Sequence, residues 1–138
     1  MKTVRYLIQP TCKIIHLQIK KRITHFPIRK SFIQTVQDTI EVNINDENFG
    51  IKELCKAICL SRSQLHNKIK AKTGLSTSIY IRSIRLKKAK YLLENTDFNV
   101  SEVAYEVGFK DPSYFSRLYS NKYGITPNKV SQSIRSIR

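Results

Sequence analysis

The sequence is short of acids. Only 10 of its 138 residues are Asp or Glu, against 25 Lys or Arg, which leaves a formal net charge of +15 at pH 7. Residues 1–30 hold eight basic residues and no acid, and residues 62–90 hold nine basic residues and no acid. A pI near 10.0 calls for an anionic partner: nucleic acid, an acidic membrane surface or an acidic protein. Charge alone does not choose among them. Cysteine is also scarce. Cys12, Cys55 and Cys59 are odd in number and form no C-x-x-C pair, so neither a disulfide framework nor a zinc site is expected. No apolar run approaches the roughly 20 residues of a spanning helix. The N-terminus lacks the apolar core and small-residue cleavage site of a secretory signal. A cytoplasmic, reduced protein without a membrane partner is the expectation. Nucleophile motifs, Gly-rich phosphate loops, metal-ligand spacings and paired carboxylates are missing too. The chain is therefore not expected to be an enzyme, and no cofactor or metal is expected. His16, His25 and His66 are scattered and read as surface residues.

What is present is enough apolar material for a core, 41% of residues, so wholesale disorder is excluded. The length allows one ordinary domain or two very small ones. Residues 1–30 read as a basic arm or the remnant of a larger parent, with a short strand over Ile14–Ile19. From Ser31, a plausible cap, Phe32, Ile33, Val36 and Ile40 recur at helical spacing. Asn43–Asn48 reads as a polar break. A helix over Gly50–Ile58, a turn over Cys59–Ser61 and a helix over Arg62–Lys72 follow, ending at Gly74. Ser76, Thr77 and Ser78 offer capping hydroxyls for a long helix to about Glu94. Its Ile81, Ile84, Leu86, Ala89, Leu92 and Leu93 are read as one core stripe. Val100–Val107, Asp111–Lys122 and a last turn after Pro127 complete an all-α layout, with residues 131–138 as a tail. No Gly-rich linker separates the halves.

The two halves repeat. Cys55 and Cys59 in the first are matched 49 residues later by Ala104 and Gly108, at places where two closely crossing helices admit only small side chains. The cysteines are accordingly read as small buried groups. After the turn the offset becomes 50. Ser61 matches Asp111 as a cap, and Arg62 matches Pro112, a residue suited to the first helical position. Leu65 and Ile69 match Phe115 and Tyr119 as inward i, i+4 pairs, and Gly74 matches Gly124 at the exit. The second turn is one residue longer, with Lys110 as the extra. This is a duplicated helix-turn-helix: about 50–74, then a linker helix of about 78–94, then about 100–124.

The inward pairs set the outward faces. Ser63, His66, Asn67 and Lys70 point away from the core in the first copy, and Ser113, Ser116, Arg117 and Ser120 in the second. The N-terminal half of such a helix enters the major groove of duplex DNA. Base reading is expected from Ser63, His66, Asn67, Ser113, Ser116 and Arg117, with Arg117 suited to guanine and Asn67 to adenine. Backbone contacts are expected from Arg62, Lys70, Lys72 and Lys110 and from the caps Ser61 and Asp111. The nine basic residues of 62–90 read as a phosphate-facing surface, though Lys87, Lys88 and Lys90 span too wide an arc for all to face DNA. Ser78 to Leu93 is 16 residues, about 24 Å of helix. With a half-domain at each end, that can hold two recognition helices roughly 34 Å apart, one turn of B-DNA.

These residues carry a resemblance. Ala104 through Arg117 (AYEVGFKDPSYFSR), followed by Gly124-Ile125-Thr126-Pro127, resembles the signature of the AraC/XylS family of bacterial transcription regulators. Ser61–His66 (SRSQLH) together with Tyr80–Leu86 (YIRSIRL) resembles the subgroup that forms the DNA-binding output end of hybrid two-component sensors. The match spans about residues 31–130. It implies two helix-turn-helix subdomains on a long central helix, double-stranded DNA as partner, RNA polymerase as a second partner if the protein activates, and the same six base-reading residues. Thr77 stands where the family commonly has Pro, Ser120 where it has Lys, and Val130-Ser131 where it has an aromatic-Arg pair. The rival reading is a nonspecific nucleic-acid-binding protein. It accounts for the charge but not for two ordered recognition helices, and the chain lacks an exposed aromatic stacking platform.

Overall fold

Ser31, Ser61, Ser76, Asn99 and Asp111 each precede a run that can bury apolar side chains, and each has a side-chain oxygen able to accept from a free N–H of a helical first turn. In the computed structural model, which describes residues 30–137, every one of them does so. Seven helices result: α1 (Phe32–Val42), α2 (Ile51–Ile58), α3 (Arg62–Thr73), α4 (Thr77–Asn95), α5 (Val100–Glu106), α6 (Pro112–Tyr123) and α7 (Pro127–Ile137). No strand occurs among the described residues. The arm and the strand expected over Ile14–Ile19 lie outside them. Two caps are reciprocal: Ser61 N–H donates to Gln64 Oε1 at 3.1 Å, and Asn99 N–H donates to Glu102 Oε2 at 2.7 Å. Gly74 and Gly124 close α3 and α6 at φ 74° and 69°.

The two turns are built alike down to their hydrogen bonds. Leu60 N–H donates to Cys55 O and Phe109 N–H to Ala104 O, while Cys59 N–H reaches Lys56 O and Gly108 N–H reaches Tyr105 O. Cys59 and Gly108 both take left-handed backbone, φ 59° and 78°. The expectation of small buried cysteines needs correction here. Cys59 is exposed and Cys55 only half-buried. What this position requires is the backbone conformation, and burial is added only in the second copy, where Gly108 lies within the protein.

Two cores form, one per half. Val36, Ile40, Phe49, Leu54, Leu65 and Ile69 fill the first together with Tyr80, Ile81 and Ile84 of α4. Val103, Ala104, Val107, Phe109, Phe115 and Tyr119 fill the second with Leu86, Ala89 and Leu93. So α4 does not carry the single stripe expected of it. At about 100° per residue, Tyr80, Ile81 and Ile84 centre roughly 160° away from Leu86, Ala89 and Leu93. The helix buries one side at its N-terminal end and nearly the opposite side at its C-terminal end. It has 19 residues and is about 28 Å long. The final helix continues through the segment expected as a tail: Ser131 is buried, Val130 packs on the second core, and Arg135 donates to Asp97 O at 3.2 Å.

Arg85 lies between the two faces of α4 and is only 8% exposed. Its Nη1 donates to Gly108 O at 2.6 Å. Its Nη2 donates to Asp46 O and to Phe49 O, both at 2.9 Å. Burial pulls its pKa down, while the charge of Asp46 opposes that fall. The segment read as a polar break therefore has a structural role. The loop it begins holds two of the three carbonyls, and its Ile44 packs on both cores.

Tyr119 is fully buried between Phe115 and Tyr123, with ring centroids 5.8 and 4.7 Å away. Its hydroxyl has no hydrogen-bond partner among the described residues. Burial, then the charges of Glu94 and Tyr123, push its pKa up from 10.0 to about 12. Between those values the unfolded chain releases a proton that the folded chain keeps, so stability falls as pH rises through that window. Tyr119→Phe is expected to leave stability at pH 7 unchanged or raise it by up to about 1 kcal/mol, because an unpaired buried hydroxyl is removed. It should also flatten the loss between pH 10 and 12. Urea titrations at pH 7, 10 and 11 check both; a loss above about 1 kcal/mol at pH 7 would show that the hydroxyl is satisfied after all.

Candidate nucleic-acid interface

Each second helix is fastened by its inward pair: Leu65 and Ile69 in α3, Phe115 and Tyr119 in α6, all at 0% exposure. The remaining faces are thereby turned outward. On α3, Arg62, Ser63, Asn67, Lys70 and Lys72 are exposed and His66 is half-buried. On α6, Ser113 and Arg117 are exposed, and Ser116 and Ser120 are half-buried. Ser120 Oγ donates back to Ser116 O at 2.8 Å.

The residues expected on the backbone differ in what else they do. Among the described residues, Arg62, Lys70 and Lys72 make no ion pair, whereas Lys110 donates to Asn48 Oδ1 at 3.0 Å and lies 3.7 Å from Glu47. That exposed pair bridges the halves and is worth at most about 1 kcal/mol. Ser61 Oγ accepts from Gln64 N–H at 3.2 Å, and Asp111 Oδ1 accepts from Ser113 N–H at 2.8 Å, so both side chains are already engaged as caps.

The basic stretch of 62–90 also resolves into different roles. Arg85 leaves it altogether, buried on carbonyl oxygens. Arg82, half-buried, sets its guanidinium 5.9 Å from the Tyr114 ring centroid. Arg117 lies over the same ring at 5.4 Å. These side chains line a cleft of about 530 Å³ between the halves, together with Lys110 and, from the first half, Phe49 and Ile51. Sequence reasoning does not place Tyr114 at the site, and it counts Arg82 only as one charge of a basic run. Tyr114 and Arg117 are three apart on one helix, which is a local signal for adjacency; the approach of Arg82 from α4 has no such signal. Lys122 is tied down as well, donating to Ser83 O at 3.0 Å, and burial followed by the charge of Lys87 lowers its pKa.

So the structure brings Lys110, Asp111 and Arg117 to the cleft and keeps Ser63, His66, Asn67 and Lys70 on a separate helix of the other half. Among the described residues no group of three or more His, Cys, Asp or Glu is arranged to hold a metal ion. Likewise no helix there is long and apolar enough to cross a membrane.

Comparison with known proteins agrees with this architecture. A family model described as a helix-turn-helix domain matches residues 54–133. Histidine kinase P4 of Formosa agariphila is 36% identical over 107 residues, which make up 78% of this chain and 8% of that protein. The HTH-type transcriptional activator RhaS of Mannheimia succiniciproducens is 34% identical over 101 residues, 73% of this chain and 36% of that protein. The chain thus spans well under half the length of these curated relatives. Among solved structures, the C-terminal domain of the two-component response regulator yesN from Fusobacterium nucleatum superposes with a TM-score of 0.64 at 32% identity, over 70% of this chain and 93% of that one. With paired helix-turn-helix units, a shared central helix and these relatives, the chain belongs to the AraC-type family of helix-turn-helix domains.

Proposed function

We propose that the chain binds double-stranded DNA sequence-specifically, as the DNA-binding part of a transcription regulator working in the bacterial cytoplasm. Its two recognition helices, α3 and α6, enter adjacent major-groove segments. The observation that carries this is the duplicated outward face: two helices of 12 residues, each fastened by a buried pair and each presenting polar side chains in a chain of net charge +15. Ser63, His66, Asn67, Ser113, Ser116 and Arg117 read bases; Arg62, Lys70 and Lys72 grip phosphates, with Lys110 and the capped helix starts at Ser61 and Asp111 beside them. A curated relative of which this chain spans only 8% supports placing it at the output end of a longer two-component sensor. RNA polymerase is the further partner if the regulator activates.

Selection of bound sequences from a random duplex library tests the proposal. A selected site should outcompete bulk DNA by at least about 10³-fold at physiological salt; equal affinity for all duplexes would sink it. Arg117→Ala should cost about 1–3 kcal/mol of binding and relax preference at one base position. Lys70→Ala should instead weaken every sequence alike and lower the salt slope by about 1. Swapped outcomes would reverse the two assignments.

A further inference from the structure

We propose that Arg85 is a positioning residue that sets the spacing and rotational phase at which the two recognition helices meet DNA, and so the spacer length of the target site. This inference depends on the DNA-binding reading above. Each half rests on its own face of α4 through apolar contacts, with Ile44 alone among the described residues packing on both cores, and apolar burial is non-directional. By itself it would hold the roll of either half about the α4 axis only loosely. Hydrogen bonds are directional, and Arg85 places three of them across the junction: two to the loop of the first half and one to the turn of the second. The planar guanidinium holds its donors in a fixed fork, so the three carbonyls are held in one arrangement. Gly108 lets the second turn approach this closely. A Cβ there would stand 2.5 Å from Ile44 O and 2.9 Å from Arg85 Cζ. The polar bridges from Lys110 to Asn48 and Glu47 are exposed and made by a flexible chain.

The consequence is a demand on DNA. Adding one base pair between the two recognised segments moves them about 3.4 Å apart along the axis and turns them by roughly 34°. A clamped pair of helices cannot follow that change, whereas a pair free to roll follows part of it.

The test uses the full 138-residue chain and duplexes carrying the two selected segments with spacers one and two base pairs shorter and longer. The wild type is expected to lose at least about 10-fold in affinity at a one-base-pair change, the size of a mismatch penalty. Arg85→Met should lose less than the wild type at each spacer change, about 3-fold at one base pair, while keeping the base preference within each segment. Arg85→Lys should fall between the two. A folded Arg85→Met protein with the sharp wild-type spacer profile would overturn the proposal. A variant that does not fold leaves the decision to residual dipolar couplings of the free wild type. Residues 30–84 and 86–137 should share one alignment tensor, and two independent tensors would overturn the proposal. Failure of the DNA reading looks different: no sequence is selected over bulk DNA, whatever the tensors show.

Discussion

Gly108→Ala is expected to destabilise the fold by about 2–5 kcal/mol, because two costs add. Left-handed backbone, φ 78° here, costs a non-glycine residue about 1–2 kcal/mol. The new methyl would also stand 2.5 Å from Ile44 O and 2.9 Å from Arg85 Cζ, and overpacking of this kind costs about 1–3 kcal/mol more. The backbone carbonyl of Ile44 cannot swing aside as a side-chain tip can. Gly124→Ala separates the two costs. Its φ is 69°, yet a Cβ there meets nothing within 4 Å, so only the conformational cost of about 1–2 kcal/mol applies. Chemical denaturation of the two variants side by side checks this. Equal losses would mean that the close approach of Ile44 and Arg85 is relieved at no cost.

Arg85→Ala is expected to cost about 2–4 kcal/mol. Removing the guanidinium strips a charged donor from the carbonyls of Asp46, Phe49 and Gly108, and hydrogen bonds to charged groups are worth about 1.5–3 kcal/mol each before water refills the gap. Refilling keeps the total below a simple sum. Arg85→Lys should recover part of the loss, because an ammonium on a flexible stem cannot meet carbonyls on both sides at once. The two sites should also couple. Once Arg85 is truncated, one of the groups that a methyl on Gly108 would strike is gone, so the double variant should be less destabilised than the sum by about 1 kcal/mol. Thermal or chemical denaturation of the two single variants and the double variant closes the cycle. Strict additivity would place the clash entirely on Ile44 O.

Much of each half is legible along the chain because the deciding interactions are local. A cap is a side-chain oxygen two or three residues before its donor, as Ser61 and Asp111 show. An inward pair is four residues apart, as with Leu65 and Ile69 or Phe115 and Tyr119. The extra residue of the second turn is visible in the change of offset at Lys110. The outward faces follow from these, which is why most candidate contact residues sit on exposed surface. What the sequence misleads about depends on distant partners. Cys59 reads as buried because it is matched to Gly108, and such a match carries the backbone conformation of the turn but not its exposure. Arg85 counts with its basic neighbours because its partners are backbone carbonyls 23, 36 and 39 residues away, and a carbonyl has no signature in a sequence. Tyr114 joins Arg117 to Arg82 only because α4 and α6 pack within one cleft.

The sequence by itself determined the first six helices, most of their caps, the duplicated turn and the family, since all of these are written in spacings of a few residues. Only the tertiary structure decided how the halves are joined. The apolar residues of α4 looked like one stripe but serve two cores on nearly opposite sides. A short polar segment became a strut, and one arginine of a basic run was withdrawn from the surface to hold it. The physical reason is that burial of a charge is decided by whether enough hydrogen-bond acceptors converge on it, and convergence of segments far apart in the chain exists only once the chain is folded.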